Sequence, residues 1–191
     1  HEIPVGLFYR DVYWRFPFYH NRVSATKRII ATLFYHLDTL TYRYLVDVLF
    51  LPHPRMLQHV PHWPSNKPVR SLYPGTDESL PLPPRSSHAS DQSLRLIYVG
   101  GSLPPLYDLR NVFAGVSRAR AEGINVHLTL CTRREERENW PAAYPHPLPI
   151  WLTVVHKSGP DLRALYDRND VVLVYRLPNP YLDFAMPIKL F

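Results

Sequence analysis

The residues best able to do chemistry stand just after short apolar runs. Gly100-Gly101 follows Leu94–Val99, Arg133-Arg134 follows Ile124–Cys131, and His156-Lys157 follows Ile150–Val155. Near the start of the chain Arg10-Asp11 follows Ile3–Tyr9, and near its end the loop Leu177–Phe184 follows Val171–Tyr175. Glycines let the backbone approach a diphosphate closely, and arginine or lysine can neutralise the charge that develops on a departing one. Each group also has a plainer reading. Gly100-Gly101, taken alone, reads first as a tight strand-to-helix turn. Arg133 and Arg134, flanked by Glu135, Glu136 and Glu138, read equally as a solvated face. The chain has neither G-x-G-x-x-G nor a Walker motif. Its ten histidines include His53, His59 and His62, which sit among prolines without the regular spacing of a zinc site.

The elements that must position these groups follow from hydrophobic periodicity. Residues 3–9 read as a buried strand. Ile29, Ile30, Leu33, Phe34, Leu37, Leu40 and Tyr44 recur at helical spacing over 24–45, with Ser24 as the cap. Val46–Leu51 is a short apolar strand. Prolines crowd 61–93, which is expected to be an interdomain linker. Then come a strand at 94–99, a helix capped by Asp108 with core face Leu109, Val112, Phe113, Val116 and Ala119, and a strand at 124–131. A charged turn at 133–140, a strand at 150–155, a helix opened by Ser158-Gly159-Pro160 and a strand at 171–175 complete the series. Strands alternating with helices predict an α/β chain of two Rossmann-like, doubly wound parallel-sheet lobes. A faint echo links the halves: a helix ending in Tyr is followed by Asp-Val and a strand, at Tyr42–Val48 and at Tyr166–Val171.

Composition bounds the class. Of 191 residues, 46% are hydrophobic and 13% aromatic, enough for a packed core. The net charge of +6 comes without any long run of like charges, so no nucleic-acid partner is expected. Cys131 is the lone cysteine, which excludes an internal disulfide and fits a reducing, cytoplasmic setting. The chain starts at His1 and stops inside an apolar run, so it reads as truncated at both ends.

Four segments carry a resemblance: Leu96–Gly101, His156–Gly159, Leu162–Tyr166 with Asp170-Val171, and Tyr181-Leu182-Asp183-Phe184-Ala185-Met186-Pro187-Ile188-Lys189-Leu190-Phe191. In order and spacing they resemble the donor-binding domain of GT-B glycosyltransferases, specifically the retaining family 4 enzymes. Gly6–Asp11, Asp47–Pro52 and Leu72–Gly75 resemble the end of the acceptor domain of the same family.

The resemblance implies the end of an acceptor domain over 1–60, a linker over 61–93 and an incomplete donor domain over 94–191. It implies transfer of a sugar from a nucleotide-sugar to a glycan or lipid-linked acceptor, with retention of configuration and no metal or other cofactor. Donor-binding residues would be Gly100, Gly101, Arg133, His156 and Lys189. Arg10 and Asp11 would edge the acceptor side. The family's Gly-x-Arg and following Lys are replaced here by Gly101 and the Leu106-Tyr107 region, so Arg133 and Lys189 are the candidate substitutes. A nucleotide-binding domain without transferase activity is the alternative. The cluster Tyr13, Trp14, Arg15, Phe16 and Phe18 suggests peripheral membrane contact, against the competing expectation that these aromatics pack inside.

Overall fold

A computed structural model of the chain describes residues 3–21, 23–73 and 93–183. They form two compact units, one holding the described residues up to 73 together with 178–183, the other holding 93–177. The chain is α/β, with two sheets of parallel strands. Lys189 lies outside the described residues.

The first unit runs β1 (Gly6–Phe8), a 3-10 turn at Tyr13–Arg15, α1 (Pro17–His20), α2 (Ala25–Leu45), β2 (Val48–Leu51), a second 3-10 turn at Pro54–His59, and β3 (Val69–Ser71). The strands pair in the order β1-β2-β3. Leu49 and Leu51 alternate onto one face of β2, where Val12, Phe16 and Met56 bury them. β3 falls inside the proline-rich stretch expected to be only a linker. Prolines are tolerated there because β3 is an edge strand. The Pro68 carbonyl still accepts from Leu49 N–H at 3.1 Å, and Leu72 N–H donates to Leu51 O at 2.8 Å.

α2 begins where expected, with Ser24 Oγ accepting from Lys27 N–H. Its orientation is the reverse of the usual amphipathic arrangement. The apolar series that marks the helix faces outward, with Ile29 66% and Phe34 61% exposed. The inward face is Tyr35, His36, Thr39 and Tyr42, and Thr39 is only 2% exposed. Aromatic partners select that face. Trp14, 1% exposed, stacks on Tyr35 at 5.0 Å and 8°. The hydroxyls of Tyr13 and Tyr35 hydrogen-bond at 2.6 Å, and Tyr9 meets Tyr42 edge-on. Trp14 and Phe16 are therefore core side chains, as the packing expectation has it, and not membrane-facing ones. Among the described residues no helix is long and apolar enough to cross a membrane.

The second unit runs β4 (Leu94–Val99), α3 (Arg110–Ala121), β5 (Val126–Cys131), α4 (Arg134–Glu138), β6 (Leu152–Val155), α5 (Pro160–Asp167) and β7 (Val171–Val172). The order β6-β5-β4-β7 means that the chain steps outward from β4 in one direction, then crosses back to its other side. Ile97 and Tyr98 point to opposite faces of β4 and both are buried, so the sheet is covered on both sides there. Leu109, Phe113 and Val116 of the α3 segment pack on Leu128 and Leu130, as their spacing predicts. The expected last strand, 171–175, is shorter, and both of its residues are exposed.

The repeated Tyr…Asp-Val pattern has a structural cause. Asp47 Oδ2 accepts from Val5 N–H, and Asp47 N–H donates to Val5 O, both at 2.8 Å. Asp170 does the same with Arg95, again at 2.8 Å in each direction. In both units the aspartate immediately precedes the first residue in register with the neighbouring strand, Gly6↔Val48 and Leu96↔Val171. Asp47→Ala and Asp170→Ala should each cost about 1 kcal/mol in urea unfolding, because each loses a hydrogen bond at an exposed site. Asn at either position should recover most of it, since its amide oxygen accepts the same N–H. The reversed helix gives a second expectation. Trp14→Ala should cost about 3–5 kcal/mol, whereas Phe34→Ser should stay within about 0.5 kcal/mol. A comparable loss for both would contradict the orientation of α2.

Candidate functional site

In a parallel sheet every strand ends on the same edge, and ligands bind beyond that edge where the strand order reverses. In the second unit the reversal lies between β4 and β7, and the loops after β4, β5 and β6 run along the same strand-end edge beside it. They are tied together by backbone. Gly100 N–H donates to Cys131 O at 2.9 Å, and Thr132 N–H donates to Val155 O at 3.1 Å.

Gly101 is glycine for an internal reason. A Cβ there would lie 2.3 Å from Tyr107 Cδ2, so the close approach is that of the Tyr107 ring. The Tyr98 hydroxyl donates to Gly101 O at 2.8 Å, and burial pushes the Tyr98 hydroxyl well above its ordinary pKa. Ser102, fully buried, sits at the centre of a polar knot. Its N–H donates to Glu136 Oε2 at 2.6 Å, its hydroxyl meets Thr132 Oγ1 at 2.9 Å, and Trp140 Nε1–H donates to its oxygen at 3.0 Å. Thr132 Oγ1–H also donates to Glu136 Oε2, at 3.3 Å. One carboxylate oxygen of α4 thus holds the loop after β4 and the end of β5. Ser102, Thr132 and Glu136 were not among the residues singled out from sequence. Their signals were a serine directly after the glycine pair and a threonine directly after a strand, with a glutamate four residues on.

The other candidates stand at the rim. His156 is exposed, and its Nδ1 contacts Thr132 O at 2.8 Å. A carbonyl can only accept, so Nδ1 carries the hydrogen and Nε2 of the neutral ring remains an acceptor. Arg133 is exposed, and its guanidinium has no ion-pair or hydrogen-bond partner among the described residues. Lys157, in the loop before α5, pairs with Asp161 in the first turn of that helix at 3.1 Å, and both are exposed. The rim can therefore present the Arg133 guanidinium to an anion and the His156 Nε2 acceptor to a hydrogen-bond donor, with Lys157 alongside in its exposed pair with Asp161. The Ser102 amide beneath is already occupied by Glu136.

On the first unit, Arg10 is exposed, but Asp11 is not free for an acceptor. Its Oδ1 accepts from Tyr13 N–H at 3.1 Å and its Oδ2 from the Tyr181 hydroxyl at 2.8 Å. Tyr181, expected with the donor domain, packs on Phe16 and Phe18 of the first unit. The histidines near the proline-rich stretch do local work. His53 Nδ1 accepts from Arg55 N–H, and His62 Nε2 lies 3.1 Å from His36 Nδ1. No group of three His, Cys, Asp or Glu able to hold a metal occurs among the described residues.

α3 is fixed by a buried carboxylate. Asp108 Oδ1 accepts from Arg110 N–H at 3.1 Å, and its two oxygens receive the Arg110 guanidinium. The Tyr144 hydroxyl accepts from Leu109 N–H at 2.7 Å beside it. No known protein family, curated protein or solved structure matches the chain.

The Arg110 guanidinium holds the Asp108 carboxyl below its ordinary range, against the opposing effect of burial. A depressed folded-state pKa stabilises the fold above the unfolded value and loses that contribution as pH falls. Asp108→Asn should therefore cost about 1.5 kcal/mol at pH 7, in the range for a hydrogen bond to a charged group. In parallel urea titrations, the gap between wild type and variant should narrow as pH drops below about 3.9, the ordinary aspartate value. A pH-independent gap would mean that the charge contributes nothing.

Proposed function

We propose that the chain is part of a GT-B glycosyltransferase that holds a nucleotide-sugar by its diphosphate at the C-terminal edge of β4, β5 and β6. The observation that carries this reading is the tie between His156 Nδ1 and Thr132 O, which sets an exposed imidazole beside the residue that precedes the unpartnered Arg133. Parallel α/β units are the usual bearers of such sites at strand ends. Arg133, with Lys189, would neutralise the leaving diphosphate, and His156 Nε2 would receive a hydrogen bond from the donor. The glycan or lipid-linked acceptor would bind the first unit near Arg10. Transfer would proceed with retention and without metal, as the family resemblance implies.

One observation favours a second reading, a nucleotide-binding domain without transfer. Glu136 already occupies the Ser102 amide, and Tyr107 fills the space over Gly101. Both crowd the loop in which a diphosphate would be cradled.

Calorimetric titration of the folded chain with uridine, guanosine and adenosine diphosphates separates these readings. One nucleotide should bind, and Arg133→Ala should weaken it about 10-fold, the size of one lost charge-assisted contact. Binding without sugar transfer or donor hydrolysis would select the second reading. No binding of any of the three by folded protein would sink both.

A further inference from the structure

The first unit carries a separate cluster of basic side chains. A cavity of about 730 Å³ opens between the Trp14 turn and the N-terminal half of α2. Arg15, His20, Arg28 and His36 line it, with Trp14 and Leu33 supplying apolar wall and no carboxylate among the lining residues. We propose that this cavity binds a phosphomonoester, with its dianionic head between Arg15 and Arg28 and an organic body against Leu33.

Arg15 and His20 are held in place, and neither arginine is neutralised by a carboxylate among the described residues. The Arg15 guanidinium rests over the Trp14 ring at 5.5 Å, and Trp14 is itself stacked on Tyr35. His20 Nε2 donates to Trp14 O at 3.0 Å, since a carbonyl can only accept. Neither Arg15 nor Arg28 forms an ion pair among the described residues. The arrangement is electrostatically unfavourable when empty. The first turn of α2 carries no acid and instead has Lys27 and Arg28, which face the positive end of a 21-residue helix dipole. An anion in the cavity would offset both repulsions. His36 feels the same field: burial, then His62 and Arg15, lower its pKa.

The ligand class follows from the donor count. Two guanidinium forks match a tetrahedral oxyanion with charge near −2, whereas one carboxylate satisfies only one fork. The cavity is also large enough for an organic molecule rather than a bare ion. The proposal does not depend on nucleotide binding at β4–β6.

Phenyl phosphate, which has no nucleobase, is the probe, titrated calorimetrically into the full chain at low salt. Wild type should bind it saturably. Arg15→Gln and Arg28→Gln should each weaken binding about 10-fold, and Arg28→Lys should recover part of the loss. Arg118→Gln removes the same charge from the exposed Arg118–Glu122 pair and should change nothing. Circular dichroism checks that each variant is folded. Vesicles of phosphatidylcholine with and without phosphatidic acid locate the source of the phosphate. Pelleting that requires phosphatidic acid, is competed by phenyl phosphate and is lost in Arg15→Gln assigns a lipid headgroup. Phenyl phosphate binding without pelleting assigns a soluble ligand. The proposal is overturned if folded wild type shows no saturable phenyl phosphate binding, whether or not it pellets. Equal effects of the Arg15, Arg28 and Arg118 variants would overturn it too.

Discussion

Both sheets depend on one small device, an aspartate that closes a strand-helix-strand crossover. A parallel pair cannot be set by a tight turn, so its register must be fixed after the chain has travelled through a helix and returned. In the first unit the return from α2 is caught at Asp47, whose carboxylate and N–H both engage Val5. In the second the return to β7 is caught at Asp170, which engages Arg95 in the same way. A one-residue slip would turn every side chain of a strand to the other face. The aspartate opposes that slip at the position just before the first pair of the ladder. From there the register places Leu49 and Leu51 in one core. In the other unit, the β4 register with β5 carries Gly100 to the Cys131 carbonyl.

The second constraint is aromatic. A helix of ordinary amphipathicity buries its apolar stripe, and α2 has such a stripe. The turn at Tyr13–Arg15 offers rings and hydroxyls rather than aliphatic surface. Stacked and edge-on pairs with Tyr35 and Tyr42, plus the bond between the Tyr13 and Tyr35 hydroxyls, favour the polar-aromatic face of the helix. The consequence is an exposed row that includes Leu33, Phe34 and Leu37. The same packing holds Arg15 over Trp14, so the element that reverses the helix also sets the cation cluster beside it.

These two facts divide what the sequence made legible from what it did not. The strands and helices were readable because period-2 and period-3.6 patterns are local. The Asp-Val echo was visible because the device uses the same residue at the same offset twice. β3 was hidden because a short edge strand needs few apolar residues and tolerates the prolines that normally signal a linker. The face of α2 was hidden because periodicity gives the spacing of a stripe and not the chemistry of its partner. Strand-end positions identified Gly100, Arg133 and His156 as neighbours, since topology alone brings loop ends to one edge. It could not show that Tyr107 fills the space over Gly101, nor that Asp11 is spent on Tyr13 and Tyr181. Those depend on side chains far away in sequence.

The knot around Ser102 sets the terms on which the rim can bind an anion. Three donors, the Ser102 amide and the hydroxyls of Ser102 and Thr132, lie within 3.3 Å of a single oxygen of Glu136. That oxygen takes up the donors that the loop after β4 turns inward, so the protein supplies its own anion there. A ligand that displaced it would strand a carboxylate against a buried serine, at the cost of an unmade charged hydrogen bond. A ligand that left it in place would meet Arg133, His156 and Lys157 but also the field of Glu136 behind them. The second course disturbs no buried bond. It requires only that the exposed cations outweigh one screened negative charge, which an unpartnered guanidinium at the rim is well placed to do.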